Sequence, residues 1–195
     1  MFMPVQIGSA THSFSDPTGL LSDCHRRVKM FISSLKAVAD NSSVALTGET
    51  RRALETSLRY FREAAPKHTA DEEESLFPRL RRIDNMELHT ALEKLDALEK
   101  DHRWAEPLHA QVDELGTRYL QTGTLTSGDA EQFRSAVNQL FEMYRRHIEV
   151  EDRDVFPIAK KVLGAELSRQ IAAEMEGRRG LKPLVSLEVA RAQKK

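Results

Sequence analysis

Two stretches of this 195-residue chain pair a histidine with a glutamate four positions on. One is His68-Thr-Ala-Asp-Glu72 and the other is His147-Ile-Glu-Val-Glu151. Each glutamate is followed five positions later by Phe-Pro, at Phe77-Pro78 and Phe156-Pro157. The chain holds only 7 His and 7 Pro, so two copies of one spacing are not expected by chance. On an α-helix, residues four apart differ by about 40° around the axis and about 6 Å along it. Each stretch therefore points one imidazole and one carboxylate the same way. Imidazole suits intermediate metals such as iron, and carboxylate holds the harder, higher-valent state. Two such helices face to face would build a metal site inside a helical bundle.

The elements that must position these groups follow from the apolar period. Residues 1–15 show none and read as an N-terminal arm. Asp16-Pro17 starts a first helix, a capping side chain beside a proline suited to the first turn. Its stripe runs Leu21, Cys24/His25, Val28, Phe31/Ile32, Leu35 and Val38. Thr47-Gly-Glu-Thr50 opens a second helix with Leu54, Leu58, Phe61, Ala65, His68, Glu72 and Leu76 on one face. Pro66 interrupts that face and predicts a break just before His68, with another irregularity at Pro78. A third helix is expected from about Met86 to Tyr119, with His102 and His109 on its stripe and a kink at Pro107. Gln121-Thr-Gly-Thr reads as a loop. Ser127-Gly-Asp129 caps a fourth helix that carries Phe133, Val137, Leu140, Tyr144, His147 and Glu151 and ends near Gly164. Residues 165–176 form a short fifth helix, which Gly177-Arg-Arg-Gly180 ends, leaving a mildly basic, solvated tail. The expected fold is all-α: an antiparallel four-helix bundle over 16–163, then a C-terminal helix and tail over 164–195.

The chain also repeats itself. His25 precedes His68 by 43 residues, and His102 precedes His147 by 45. Each half is a helix with a central His, a loop, then a helix with His-x3-Glu and Phe-Pro. Two such hairpins related by a pseudo-twofold would place four His and two Glu at one level, the set a dinuclear centre wants. A lone His on an apolar stripe is more often a satisfied core residue. Four of them, each on a different helix, would bury several unpaired ionisable groups unless a metal held them. Glu106, one turn past His102, is a candidate extra ligand, imidazole partner or proton donor. Tyr144 is a candidate redox-active or hydrogen-bonding group, against the plainer reading as core. His109 reads as core or cap before ligand, and His12 and His89 as surface. Asp71, Glu73 and Glu74 read as a solvated acidic face, with Glu73 within range of a ligand's outer nitrogen. Cys24 reads as packed beside the stripe, where a thiol next to a ligand could be oxidised.

The formal net charge of −1 gives no bias toward nucleic acid or a membrane surface. One cysteine leaves no intramolecular disulfide, and the N-terminus has neither a basic n-region nor a long apolar h-region. No apolar run is long enough to span a bilayer. These features set the expectation of a soluble, cytoplasmic protein. Oligomeric state is not encoded legibly.

The chain resembles the hemerythrin-like (HHE cation-binding) domain family. The resemblance rests on Asp16-Pro-Thr-Gly-Leu-Leu-Ser-Asp-Cys-His25, His68-x3-Glu72 with Leu76-Phe77-Pro78, Glu99-Lys-Asp-His102, and His147-x3-Glu151 with Phe156-Pro157. It implies a four-helix bundle around a non-haem di-iron centre with an oxo or hydroxo bridge, manganese being the other metal to consider. By that resemblance His25, His68, His102 and His147 are terminal ligands, and Glu72 and Glu151 bridge. Oxygen carriers of the family place a second His four residues after the third-helix His, where this chain has Glu106. They also place a carboxylate five residues after the fourth-helix His, where it has Asp152 beside Glu151. The set looks more like the di-iron proteins linked to iron–sulfur repair and nitric-oxide stress. The resemblance thus implies a small-molecule oxidant (dioxygen, peroxide or nitric oxide) as partner, with peroxidase, catalase-like or oxidase activity, in stress defence or iron homeostasis. The alternatives are an iron or oxygen sensor whose metal occupancy controls a partner surface, and a metal-free structural bundle.

Overall fold

The computed structural model describes residues 12–181. Most of the expected arm and all of the basic tail beyond Leu181 lie outside the described residues. Helices account for the described elements: α1 Pro17–Asp40, α2 Gly48–Glu63, α3 Ala65–Ala70, α4 Phe77–Leu80, α5 His89–Thr122, α6 Ser127–Val150, α7 Phe156–Val162 and α8 Ala165–Arg178. The Asp16 carboxylate caps α1 by accepting from Gly19 N at 3.0 Å, and Thr47 and Thr50 cap α2 reciprocally. Caps of this kind are worth about 1 kcal/mol each. α1 packs on α2 and α6, and α5 packs on the same two, which closes a four-membered ring of helices. No helix among the described residues is long and apolar enough to cross a membrane.

The prolines act as their chemistry requires, with one exception. The second stretch breaks at Ala64, and Pro66 sits in the first turn of α3, where its missing N–H costs nothing. Residues Asp71–Leu76 and Glu151–Val155 then widen into π-helical turns. Phe77 N–H bonds back to Glu72 O, and Phe156 N–H to Glu151 O, five residues instead of four. A proline follows each of these donors, with no N–H to give and a ring that would press on the preceding turn. One extra residue in the turn relieves both problems. Pro107, by contrast, lies inside an unbroken α5. It is exposed, so water can serve the carbonyl it leaves unpaired. α5 also begins with a 3-10 turn at Met86–Leu88 and extends to Thr122, into the expected loop, before Gly123 ends it in the left-handed conformation (φ 76°).

The apolar interior is in two parts. One contains Leu21, Leu76, Phe77, Leu95, Val155, Phe156, Ile171 and Met175. The other contains Ile32, Leu58, Val112, Phe133, Leu140 and Met143. Between them lies a buried polar layer with His25, His68, Glu72, His147 and Glu151.

Candidate metal centre

Each member of this layer arrives from its own turn of helix. α1 supplies His25, α3 and its π turn supply His68 and Glu72, α5 supplies His102, and α6 and its π turn supply His147 and Glu151. Their inner atoms converge. His68 Nε2 lies 3.2 Å from Glu72 Oε1, and His25 Nε2 lies 3.7 Å from the same oxygen. The other oxygen, Glu72 Oε2, lies 3.6 Å from His102 Nε2. Glu151 Oε2 is 3.1 Å from His25 Nε2 and 3.2 Å from His147 Nε2. The atoms form two groups able to hold an ion, His25–His68–Glu72–Glu151 and Glu72–His102–His147. Glu72 belongs to both, one oxygen toward each, and Glu151 reaches from His25 to His147.

Orphaned atoms test whether cations fit here. Both oxygens of Glu72, both of Glu151, and His25 Nε2 are buried without a hydrogen-bond partner. Such groups cost several kcal/mol each when left unpaired. His102 Nε2 and His147 Nε2 face one another at 3.1 Å. On the outer side, His25 Nδ1 meets Asp152 Oδ1 at 2.8 Å, His102 Nδ1 meets Glu73 Oε1 at 2.8 Å, and His147 Nδ1 meets Asp101 Oδ2 at 3.4 Å. A carboxylate on the outer nitrogen fixes the proton there and turns the Nε2 lone pair inward. Facing lone pairs and unpaired carboxylates repel unless positive charge, a metal ion or a proton on an imidazole, lies between them. Burial, and after it the charge of Glu151, pushes Glu72 up to about 8, because two buried carboxylates cannot both ionise unaided. The donor set fits two cations of the nitrogen- and oxygen-loving kind.

Asp152 and Glu151 divide the two spacings noted in the sequence. Glu151 turns inward, and Asp152 accepts from His25 and from Ser22 Oγ (3.1 Å) on the outside. Asp152→Asn keeps the shape but removes the charge behind His25. It is expected to weaken metal binding about 10–100-fold, measured by competition with a chelator, with the fold intact by circular dichroism.

Glu73 serves His102 in the way that one reading of Glu106 anticipated. Glu106 itself is exposed and lines a cavity of about 390 Å³ with His102, Glu73, Phe61, His109 and Tyr144. In that cavity Tyr144 Oη and His109 Nε2 share a hydrogen bond of 2.8 Å. Burial lowers His109 to about 4 and raises the Tyr144 phenol above its usual range, so both are neutral near pH 7. Tyr144 therefore meets His109, not an imidazole of the cluster. His89 is exposed, as expected. His12, read as surface, keeps its side chain 38% exposed, while its backbone N–H donates to Asp23 Oδ2 of α1 at 2.8 Å.

Asp71 corrects the reading of an acidic surface. It is fully buried beside Glu72, paired with Arg178 (3.0 Å) and Arg179 (2.6 Å) from the end of α8. Arg178 also reaches Glu74 (2.9 Å) and Ser75 Oγ (2.8 Å). α8 thus braces the π turn that carries Glu72. The sequence signal was slight: an acid three residues after His68, beside the stripe, and two arginines 107 and 108 residues away.

A family model for the hemerythrin HHE cation binding domain matches residues 16–159. An uncharacterized protein of Haemophilus influenzae is 26% identical over 171 residues, which is 87% of this chain and 94% of that protein.

Proposed function

This chain belongs to the hemerythrin HHE cation-binding domain family, and from that premise we propose that it is a non-haem di-iron protein that binds or reduces a small oxidant: dioxygen, peroxide or nitric oxide. The observation that carries the reading is Glu72, whose two unpartnered oxygens face two separate histidine groups. Two irons held there would supply electrons and open coordination positions to the oxidant. The chain's own residues do the rest. Asp152, Glu73 and Asp101 orient three imidazoles. Leu21, Leu76, Leu140 and Met143, on the two sides of the layer, keep water from the cluster. The cavity beside His102 is wide enough for a diatomic molecule or peroxide. On its wall, which His102 shares, Tyr144 and His109 hold one proton between Oη and Nε2, and this pair would pass it to a reduced oxidant in the cavity.

Protein expressed with iron and analysed for metal should contain about two irons per chain. It should also show a charge-transfer band on oxidation and consume peroxide catalytically. A stably folded chain that takes up no metal, or a loaded one inert to all three oxidants, would count against the reading. Tyr144→Phe removes the phenolic proton without touching a ligand. It should keep the full metal content and slow peroxide turnover about 10²-fold.

The α8 brace supports a second reading, a sensor. Metal at Glu72 and the arginine pairs at Asp71 act on adjacent residues of one turn, so occupancy would bias the docking of α8. Protease protection of α8 that follows iron loading, with no oxidant turnover, would favour it.

A further inference from the structure

Three of the four inward-facing histidines have a carboxylate on the outer nitrogen. His68 does not. Its side chain is 9% exposed, its Nε2 is turned to Glu72, and its Nδ1 has no hydrogen-bond partner among the described residues. With Nε2 on a metal, Nδ1 must carry the proton, so an N–H donor points away from the cluster with nothing to receive it. The ring forms part of the wall of a separate cavity of about 250 Å³, whose other walls include Arg27, Lys67, Arg179, Glu63 and Cys24. Arg179 is already paired with Asp71, and Arg27 Nη2 lies 2.8 Å from Cys24 Sγ. Neither Arg27 nor Lys67 has an ion pair among the described residues. The one carboxylate on the wall, Glu63, is exposed. The cavity therefore has a surplus of positive charge and an unanswered donor, where its three counterparts have a negative group.

We propose that this cavity binds a small inorganic oxyanion of phosphate size, which accepts the Nδ1–H of His68 and is held by Lys67 and Arg27. The anion supplies His68 with the partner that Asp152, Glu73 and Asp101 supply to the others. Arginine and lysine together suit a compact oxyanion, the one by its fork and the other as a point charge. An acceptor on the outer N–H raises the basicity of the imidazole, so anion and metal strengthen each other's binding, and the coupling is reciprocal. This assignment rests on the metal-binding reading of the cluster.

The test uses the full chain, loaded with iron and assayed for metal beforehand. Inorganic phosphate is titrated in at constant ionic strength against chloride, with binding followed by calorimetry and iron release followed with a chelator. The expected result is saturable phosphate binding that slows iron release about tenfold. Lys67→Ala should weaken phosphate at least about tenfold, and Lys67→Glu should abolish its binding. Lys67 is exposed, so both variants should fold and, in phosphate-free buffer, load iron as the wild type does. Phosphate that binds the variants as tightly as the wild type is coordinated elsewhere, on the metal itself for example, and overturns the proposal. So does a loaded protein that binds no phosphate, with Glu63 or water then serving His68. A chain that takes up no metal fails the functional reading first and this one with it, and the initial metal assay shows which has failed.

Discussion

Glu72→Gln should reduce the metal content from about two ions per chain to one at most, with little cost to the metal-free fold. An amide keeps the size of the side chain, but it cannot place an anionic oxygen on each of two cations, as Glu72 Oε1 and Oε2 are placed to do. In the metal-free protein, burial first and Glu151 second raise Glu72 from 4.5 to about 8. A carboxyl whose folded value is raised contributes stability that is present below 4.5 and is lost as pH rises through about 8. Glutamine resembles the protonated acid and does not titrate. The metal-free variant should therefore match metal-free wild type at low pH and gain on it steadily across that window. Metal addition should stabilise only the wild type strongly, because metal binding is folding free energy. Metal analysis and denaturant curves with and without iron measure both effects. A Glu72→Gln protein that still holds two irons would remove Glu72 from the bridging role.

Asp71→Ala should destabilise the protein by about 3 kcal/mol or more. It leaves two arginines at the end of α8 without the fully buried carboxylate that receives them. The loss should appear first as fraying of α8 from Arg178 back toward Glu174, itself paired with Arg79 at 2.7 Å. It should then appear as faster iron release, because the π turn that aims Glu72 has lost its brace. Denaturant unfolding, limited proteolysis and chelator kinetics on one variant separate these effects. A change in stability with no change in iron release would confine α8 to a structural part and remove the support for sensing.

The bundle and the six inward groups were legible because their information is local. His68 and Glu72, and His147 and Glu151, are one helical turn apart, and a turn's geometry follows from the chain itself. The break before His68 was legible for the same reason, since Pro66 states its own constraint. The π turns were only half visible: Pro78 announced an irregularity, but how the backbone would absorb it was not written in any one residue. What the sequence could not show is who meets whom across the bundle. Asp71 looked solvated because Arg178 and Arg179 lie more than 100 residues away. Glu106 was one turn from His102 in the sequence, whereas Glu73 read first as solvated surface, and only the packing of α5 against the π turn assigns the hydrogen bond to Glu73. Tyr144 lay on the right stripe, but its partner His109 comes from another helix.

The polar layer between the two apolar clusters also bears on how the chain folds. Each cluster gathers residues from both halves of the sequence, so neither hairpin can complete an oily interior alone. Without a metal, the layer is a charged seam with unpartnered oxygens across the middle of the bundle, and the two ends are joined mainly by the stiffness of α1, α5 and α6. Cooperativity is weakest at such a seam, and backbone amides on its two sides would exchange with solvent as separate units. Metal turns the seam into a cross-link, and the two ends then open together or not at all.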